Sequence, residues 1–583
     1  MLVKFVIIII SVFVLLALGY VGFVTIQPKL IAWNLDFPQP QYEVAIDSDV
    51  MIASADGTKL ATDIYRPDAE GKFPVIIART PYDKTSSRHM YPFLGKIFAG
   101  QGYVFVTQDV RGKNNSEGTF TPYENEAMDG EATIEWAGKA EWSNGNVALF
   151  GFSYLGSCAW LAATKDSPYL KTIIPLFTSQ DTYKGWYDRG VPHLKDMLYW
   201  VSKYHVRTKN HISHEEIDKV LTNFPANELD QALTNKHLKT YQEYIRHPTP
   251  DAFWDKLGAE QKLGDLDIPI LFYAGWYDRF IESSLEDFSR MRSQTSAPVR
   301  IVIGPWVHDP TMRAGDIALP NKAKFADQFK VILHWFDMWL KHNISGSTLE
   351  YPITYFVMGK NEWHHADQWP PADVSYKPLY LTSKDRILSP EQEASSHTVE
   401  YTYDPTNPTP SIGTKMVYAN GWEGAAEQGP LTKRSDVVTF LSEPLKSEMV
   451  IAGPTKLILH VASSAVDTDF SAKIADKHPN GKAYFIQSGY MRMRYRDSLK
   501  DPKLITPGEI YEIEISIAST GHAFKKGHRI QLQISSSDYP NHSRNLNTAT
   551  IPEEASSPNT AIQAIHFGGD YESKLLLPVL SQY

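Results

Sequence analysis

Short apolar runs bounded by Gly, Pro or charged residues recur through the first third of the chain, at Pro74–Ala78, Val104–Thr107, Val147–Phe150 and Thr172–Leu176. Runs of this length without alternation read as strands buried on both faces. Between them, Asn125–Ala137 carries Met128, Ala132 and Trp136 at helical spacing, and Ala159–Ala163 continues a second helix. This strand–helix alternation predicts a mostly parallel sheet covered by helices. Ahead of it, Val50–Ser54 and Thr58–Tyr65 alternate around Asp56-Gly57, the signature of a β-hairpin. Residues 180 to about 262 break the rhythm. They are rich in aromatic and charged residues, show helical spacing at His193–Tyr204 and Glu215–Leu221, and lack convincing buried strands, so they read as a helical insertion. Buried runs resume at Ile270–Tyr273 and Val299–Ile303, and the amphipathic helix Phe325–Leu340 closes the domain. Beyond about residue 350 the period becomes two, at Lys456–Val461, Tyr511–Ala518 and Arg529–Ser535, with Pro, Gly and Asn between the strands. That pattern predicts an all-β sandwich.

The extreme N-terminus differs from all of this. Phe5–Ile26 contains no charge and follows Lys4. As a helix it would span about 33 Å, enough to cross a bilayer, and it exceeds the apolar core of about 7 to 15 residues usual in a signal peptide. Ala17-Leu18-Gly19 is only a fair cleavage site. An uncleaved membrane anchor is favoured over a removed signal. Either way the bulk of the chain is expected outside the cytoplasm, periplasmic or secreted, with Lys4 on the cytoplasmic side. The expected organisation is therefore 1–27 as transmembrane anchor or signal peptide, 28–349 as the α/β domain with its cap insertion at about 180–262, and 350–583 as the β-sandwich.

Composition narrows the function. With 43% apolar and 21% charged residues the chain is neither disordered nor fibrous. A net charge of −10 without a basic run leaves no electrostatic footprint for nucleic acid. The single Cys158 excludes an intramolecular disulfide and a Cys-based zinc site, and reads as a small buried side chain.

The sharpest local signal is Val147-Ala-Leu-Phe-Gly151-Phe-Ser153-Tyr154-Leu155-Gly156, a buried strand running through Gly and Ser into a helix. This is the context of a nucleophile elbow, in which a tight turn lifts the Ser hydroxyl clear of the sheet and the helix N-terminus supplies N–H donors for an oxyanion. The G-x-S-x-G spacing is broken, because the second Gly falls one residue late, and a lone Ser there also serves as a helix cap. Two downstream strand ends complete a triad. Ile270–Asp278 places an acid just past one buried strand, and Ile301–His308 places a histidine just past the next. Singly, Asp278 reads equally as a helix cap and His308 as a loop residue. Together, in the order Ser, Asp, His, they fit an α/β fold whose active groups gather at the carboxyl ends of its strands.

Six motifs follow one another in a familiar order: Arg79-Thr-Pro-Tyr82-Asp-Lys, Gln108-Asp-Val-Arg-Gly112, Glu135-Trp136 with Trp142-Ser-Asn-Gly145, Gly151-Phe-Ser-Tyr-Leu-Gly156, Ala274-Gly-Trp-Tyr-Asp278 and Gly304-Pro-Trp-Val-His308. The chain resembles the cocaine esterase and X-Pro dipeptidyl-peptidase group of serine hydrolases, which includes glutaryl-cephalosporin acylases and α-amino acid ester hydrolases. The similarity covers nearly everything after residue 45 and reaches the β region through Gly359-Lys-Asn-Glu-Trp363 and His528–Ser536. The resemblance implies an α/β-hydrolase fold with an inserted helical cap, followed by a jelly-roll-like all-β sandwich. It implies Ser153 as nucleophile, His308 as general base, Asp278 as its orienting acid, and the Tyr82 hydroxyl with the Tyr154 amide as oxyanion donors. Without it, Tyr82 would pass for a turn residue after Pro81. Phe280 matches a position lining the acyl pocket in the esterases.

The implied activity is hydrolysis of small-molecule esters or amides, with short peptides as the Xaa-Pro dipeptidyl-peptidase alternative. Arg279, if it points inward, disfavours a substrate ammonium and suits an anionic acyl chain, whereas Asp188 in the insertion is a candidate reader of an ammonium. A reading from another class keeps the sandwich as a carbohydrate- or envelope-binding module on a retired hydrolase scaffold. No cofactor and no metal are expected. His364-His365 share no helical face and lack a carboxylate set, and Asp467-Thr-Asp469 lacks the Gly and Glu of a calcium loop and reads as a solvated strand end.

Overall fold

The computed structural model describes residues 38–581 apart from 205–211, 265, 311–312, 344–349 and 419–420. Phe5–Ile26 lies outside the described residues; among those described, no helix is long and apolar enough to cross a membrane. The hairpin around Asp56-Gly57 is β1 (Val44–Ala53) paired antiparallel with β2 (Lys59–Pro67), and Gly57 takes the left-handed φ of +85° that the turn requires. The four early apolar runs become β3 (Phe73–Thr80), β4 (Val104–Asp109), β5 (Ser143–Phe152) and β6 (Leu170–Leu176). Among its described residues the insertion contributes only the two-residue strands β7 (Tyr187–Asp188) and β8 (Val191–Pro192) between short helices. The sheet resumes with β9 (Ile270–Tyr277) and β10 (Val299–Val307), giving the order β1-β2-β4-β3-β5-β6-β9-β10 with every pair from β4 to β10 parallel.

Alternate residues of these strands feed two separate cores. Val75, Ile77, Val147 and Leu149 meet Ile134, Ala159, Trp160 and Phe288 on one face. Ile76, Ala78, Ala148 and Phe150 meet Phe98, Trp335 and Phe336 on the other. A strand covered on both sides has no polar position to spare, which is why its sequence shows a run rather than an alternation.

The sheet of the α/β domain does not stop at residue 349. Beyond it, β11 (Ile353–Val357) pairs parallel with β10, and β12 (Glu362–Ala366) returns antiparallel, so the α/β sheet runs on to Ala366. The motif Gly359–Trp363 belongs to this added hairpin, with Gly359 at φ +80° in its turn. Period-two alternation cannot tell the edge of one sheet from the start of the next.

Eleven strands between Val374 and Leu580 form one hydrogen-bonded sheet folded over on itself. Its two limbs share a core, one contributing Leu457, Leu459, Ile515 and Leu575, the other Phe470, Ile474, Leu532 and Ile534, all essentially without solvent contact. Strand Tyr511–Phe524 alternates up to Ile517 and is buried on both faces thereafter, where it leaves the surface and packs on the α/β domain through Gly521 beside the Phe356 carbonyl and Trp276. Asp467 and Asp469, read as solvated, are fully buried. Asp467 is bound by Arg494 at 2.7 Å and Asp469 by Arg492 at 3.0 Å, partners that no local pattern announces.

Candidate active site

Parallel strands deliver their following residues to one edge, so Tyr82 after β3, Ser153 after β5, Asp278 after β9 and His308 after β10 arrive together. Ser153 sits at φ 58°, ψ −122°, a costly conformation for a residue with a Cβ. The Ser153 amide donates to the Leu176 carbonyl at 2.8 Å, and its carbonyl accepts from the Gly156 amide at 2.8 Å, so the turn is held from both sides. Both glycines are needed for close approach. A Cβ on Gly151 would lie 2.2 Å from the Leu155 carbonyl, and one on Gly156 would lie 2.6 Å from Thr178 Cγ2. The displaced second glycine thus satisfies the same packing that the usual spacing provides.

His308 Nε2 lies 2.9 Å from Ser153 Oγ, and His308 Nδ1 lies 2.9 Å from Asp278 Oδ1. Asp278 is wholly buried and His308 nearly so. Phe152, Phe177 and Phe280 stand around the imidazole with ring centroids 5.1, 6.4 and 5.5 Å away. These rings leave the imidazole few orientations.

Tyr82 and Tyr154 line the same pocket as Ser153 and His308. The Tyr154 amide opens the helix Tyr154–Ala163 and so belongs to the first-turn N–H groups that have no partner within a helix. Its phenol is locked, donating to Glu126 Oε1 at 3.0 Å while accepting from the Tyr123 amide at 2.9 Å. Tyr82 Oη accepts from Trp200 Nε1 at 3.0 Å, which leaves the phenolic proton available to the pocket. Burial raises the Tyr82 phenol well above its ordinary range, so it remains a donor at any working pH.

The pocket is roofed by Trp186 and Trp200 of the insertion and by Val417 and Tyr418 of the sandwich, and its free space is only about 30 Å³. Phe280 forms part of its wall, as does Arg279. Arg279 is not the free cation that the sequence reading allowed. It pairs with buried Asp196 at 2.9 Å and lies over the Trp186 and Phe280 rings, and Asp196 also accepts from the Val417 and Tyr418 amides. Asp188 does not line the pocket. The tight left-handed turn at Arg189 and Gly190 carries it to the sandwich, where it meets His542 at 3.2 Å. Cys158 is buried one helical turn behind the serine, and burial pushes its thiol well above the usual range. Sequence reasoning missed Trp200, Asp196 and Tyr418. Trp200 stood in a correctly read helix, but nothing local tells which ring of that helix reaches the sheet.

Residues 56–310 match the X-Pro dipeptidyl-peptidase (S15) family, and residues 345–576 match the X-Pro dipeptidyl-peptidase C-terminal non-catalytic domain. The chain is 34% identical to cocaine esterase of Rhodococcus sp. (strain MB1 Bresler) over 578 residues, which is 93% of this chain and 99% of that one. Among solved structures, an aminopeptidase from a marine-sediment Thaumarchaeota archaeon superposes with a TM-score of 0.83 at 24% identity, covering 93% of this chain and 98% of that one. An α-amino acid ester hydrolase superposes with 0.81 at 25% identity, covering 92% and 97%. Full-length similarity of this kind, over both domains and in one order, shows that the chain belongs to the cocaine esterase and X-Pro dipeptidyl-peptidase family of α/β-hydrolase serine hydrolases.

Proposed function

We propose that the chain hydrolyses small acyl esters, and amides of similar size, through Ser153, His308 and Asp278. The observation that carries this reading is the unbroken contact from Ser153 Oγ through both nitrogens of His308 to Asp278, beside a pocket that also holds Tyr82. His308 takes the Ser153 proton as the oxygen attacks the carbonyl carbon. Asp278 fixes the ring tautomer and stabilises the imidazolium. The Tyr82 hydroxyl and the Tyr154 amide receive the oxyanion, and His308 returns the proton to the leaving alcohol or amine. Water then deacylates Ser153 by the same route reversed.

The narrow aromatic pocket favours short acyl groups, and Arg279 is already neutralised by Asp196. A dipeptidyl-peptidase needs an anionic anchor for the free ammonium. The carboxylate in this wall, Asp181, is engaged as the cap of the helix Thr182–Trp186 through the Tyr183 amide at 2.9 Å, which ranks that reading second. A retired scaffold carrying a binding module has no use for an assembled triad. We place the activity outside the cytoplasm on the strength of Phe5–Ile26. In the test, p-nitrophenyl acetate is hydrolysed faster than longer acyl esters, and a fluorophosphonate probe labels Ser153. Efficient turnover of Xaa-Pro p-nitroanilides with inert acetate esters reverses the ranking, and a folded chain that never labels removes the proposal.

Tyr82→Phe is expected to lower kcat by about a hundred- to a thousandfold with little change in KM, because the donor acts on the oxyanion rather than on the ground state. Trp200→Phe keeps the phenol but frees its oxygen, so its loss should be smaller and again fall on kcat. Steady-state kinetics separates the two. Equal losses in kcat and affinity for Tyr82→Phe contradict the oxyanion role.

A further inference from the structure

A cavity of about 330 Å³ lies at the seam between the two domains, and it shares no lining residue with the pocket at Ser153. Its walls are mainly apolar, with Phe356, Met358 and Phe485; Asn361 and Lys525 also line it, and at one side Asp476, His478, His522 and His528 come together. Strand register builds this cluster. Strand Asp469–Lys477 pairs antiparallel with strand Arg529–Ser535, and Lys477 stands opposite Arg529. The next residues outward on each side are His478 and His528, which therefore meet across the strand ends with rings 4.3 Å apart. Asp476 points to the same side, and His522 reaches it from strand Tyr511–Phe524 of the facing limb.

All three imidazoles converge on one carboxylate. From Asp476 Oδ2 the distance is 3.4 Å to His478 Nε2, 3.0 Å to His528 Nδ1 and 3.2 Å to His522 Nε2. Bonds of 2.0 to 2.1 Å in a tetrahedral zinc site place neighbouring ligand atoms roughly 3.3 Å apart, so the separations from Asp476 to His478 and His528 are close to two edges of such a site. One ligand atom from each of Asp476, His478 and His528 lies within 4.8 Å of the others. Rotation of the half-buried His478 side chain in its turn can close the remaining gap. Neutral imidazoles can hydrogen-bond the carboxylate, yet three rings crowd a single buried acid and repel one another when they are charged. A divalent cation resolves both difficulties by taking the lone pairs of neutral rings. His522, whose Nδ1 is buried without a hydrogen-bond partner, then acts from outside the ligand set by holding the Asp476 carboxylate.

We propose that Asp476, His478 and His528 bind one Zn²⁺-class divalent ion. The ion would clamp the turn at His478 to the turn at His528 and keep its fourth position toward the interdomain cavity, the arrangement of three protein ligands and one exchangeable ligand.

The test is Zn²⁺ titration of the full-length chain against a chromophoric chelator, with Co²⁺ as a spectroscopic substitute. One ion per chain at micromolar affinity or tighter is expected, together with visible tetrahedral Co²⁺ bands. His478→Ala and His528→Ala should each weaken binding by roughly a hundredfold and abolish those bands, and His522→Phe should weaken binding roughly tenfold. Ser153→Ala should bind as the wild type does. His478 sits in a half-exposed turn, so its alanine variant is expected to fold; should it not, His528→Gln decides the matter. Absence of stoichiometric binding by the wild type, or unchanged affinity and bands in the folded His478 or His528 variant, overturns the proposal.

Discussion

Ser153→Ala is expected to lower kcat by about five to six orders of magnitude, and His308→Ala by a similar amount, whereas Ser153→Ala/His308→Ala should be no worse than either alone. The reason lies in the contact chain. Ser153 Oγ is a weak nucleophile until His308 Nε2, 2.9 Å away, accepts its proton, and without the hydroxyl the base has nothing to activate. Asp278→Ala should cost less, about four orders, because the imidazole keeps its place between Phe152, Phe177 and Phe280 and loses only its tautomer and counter-charge. What survives comes from Tyr82 and the Tyr154 amide, which remain in position around a substrate carbonyl. Kinetics on a p-nitrophenyl ester, with fluorophosphonate labelling as a second readout, measures all four variants. A Ser153→Ala enzyme within tenfold of wild type, or losses that multiply in the double variant, would show that these side chains do not act as one unit.

The parts of this site that were legible in the sequence are those that local pattern determines. A parallel sheet buried on both faces writes its strands as apolar runs, and the residue after each run is carried to the active edge. That is why Ser153, Asp278 and His308 stand out in the sequence as a candidate triad. The hairpin at Gly57 and the helix Leu194–Tyr204 were readable for the same reason, one from its turn chemistry and the other from its periodicity. The errors fall where the answer depends on partners far along the chain. Arg279 looked free because Asp196 is 83 residues away. Asp467 and Asp469 looked solvated because Arg494 and Arg492 come 27 and 23 residues later, at the other end of the hairpin that Asp469 opens. The sheet that the strands just past residue 350 join was not legible, because alternation carries no record of which sheet a strand joins. Tyr82 needed family resemblance, since the donor role proposed for it depends on Trp200, 118 residues later, fixing the phenol.

The same long-range logic makes Arg492 the most consequential residue of the sandwich. Arg492→Met is expected to destabilise the protein by about 3 to 5 kcal/mol, the usual cost of stranding a buried charge. The guanidinium has no solvent contact. It donates from Nε and Nη2 to both oxygens of Asp469 at 3.0 Å, and from Nη1 to Glu553 Oε1 at 2.8 Å. Removing it leaves two carboxylates in the interior, with the Tyr490 hydroxyl, Asn545 and Ser543 as their remaining donors. The damage should not stay local, because Glu553 ends the stretch that anchors the cap. Within that stretch the Asn541 carbonyl accepts from the Leu194 amide at 3.1 Å, Arg544 donates to the Leu221 and Asn223 carbonyls, and the Glu553 carbonyl accepts from the Asn227 amide at 2.9 Å. Leu194 begins the helix that carries Trp200, and Trp200 holds the Tyr82 phenol. Loss of Arg492 should therefore lower the urea midpoint and, in the fraction still folded, depress kcat in the manner of Trp200→Phe. Replacing Asp469 and Glu553 by leucine in the Arg492→Met background removes the stranded charges and should recover most of the stability, since an apolar substitute for a buried ion network is often neutral or better. A midpoint shift equivalent to less than about 1 kcal/mol in Arg492→Met would mean that water reaches the carboxylates and that the network does not hold the cap.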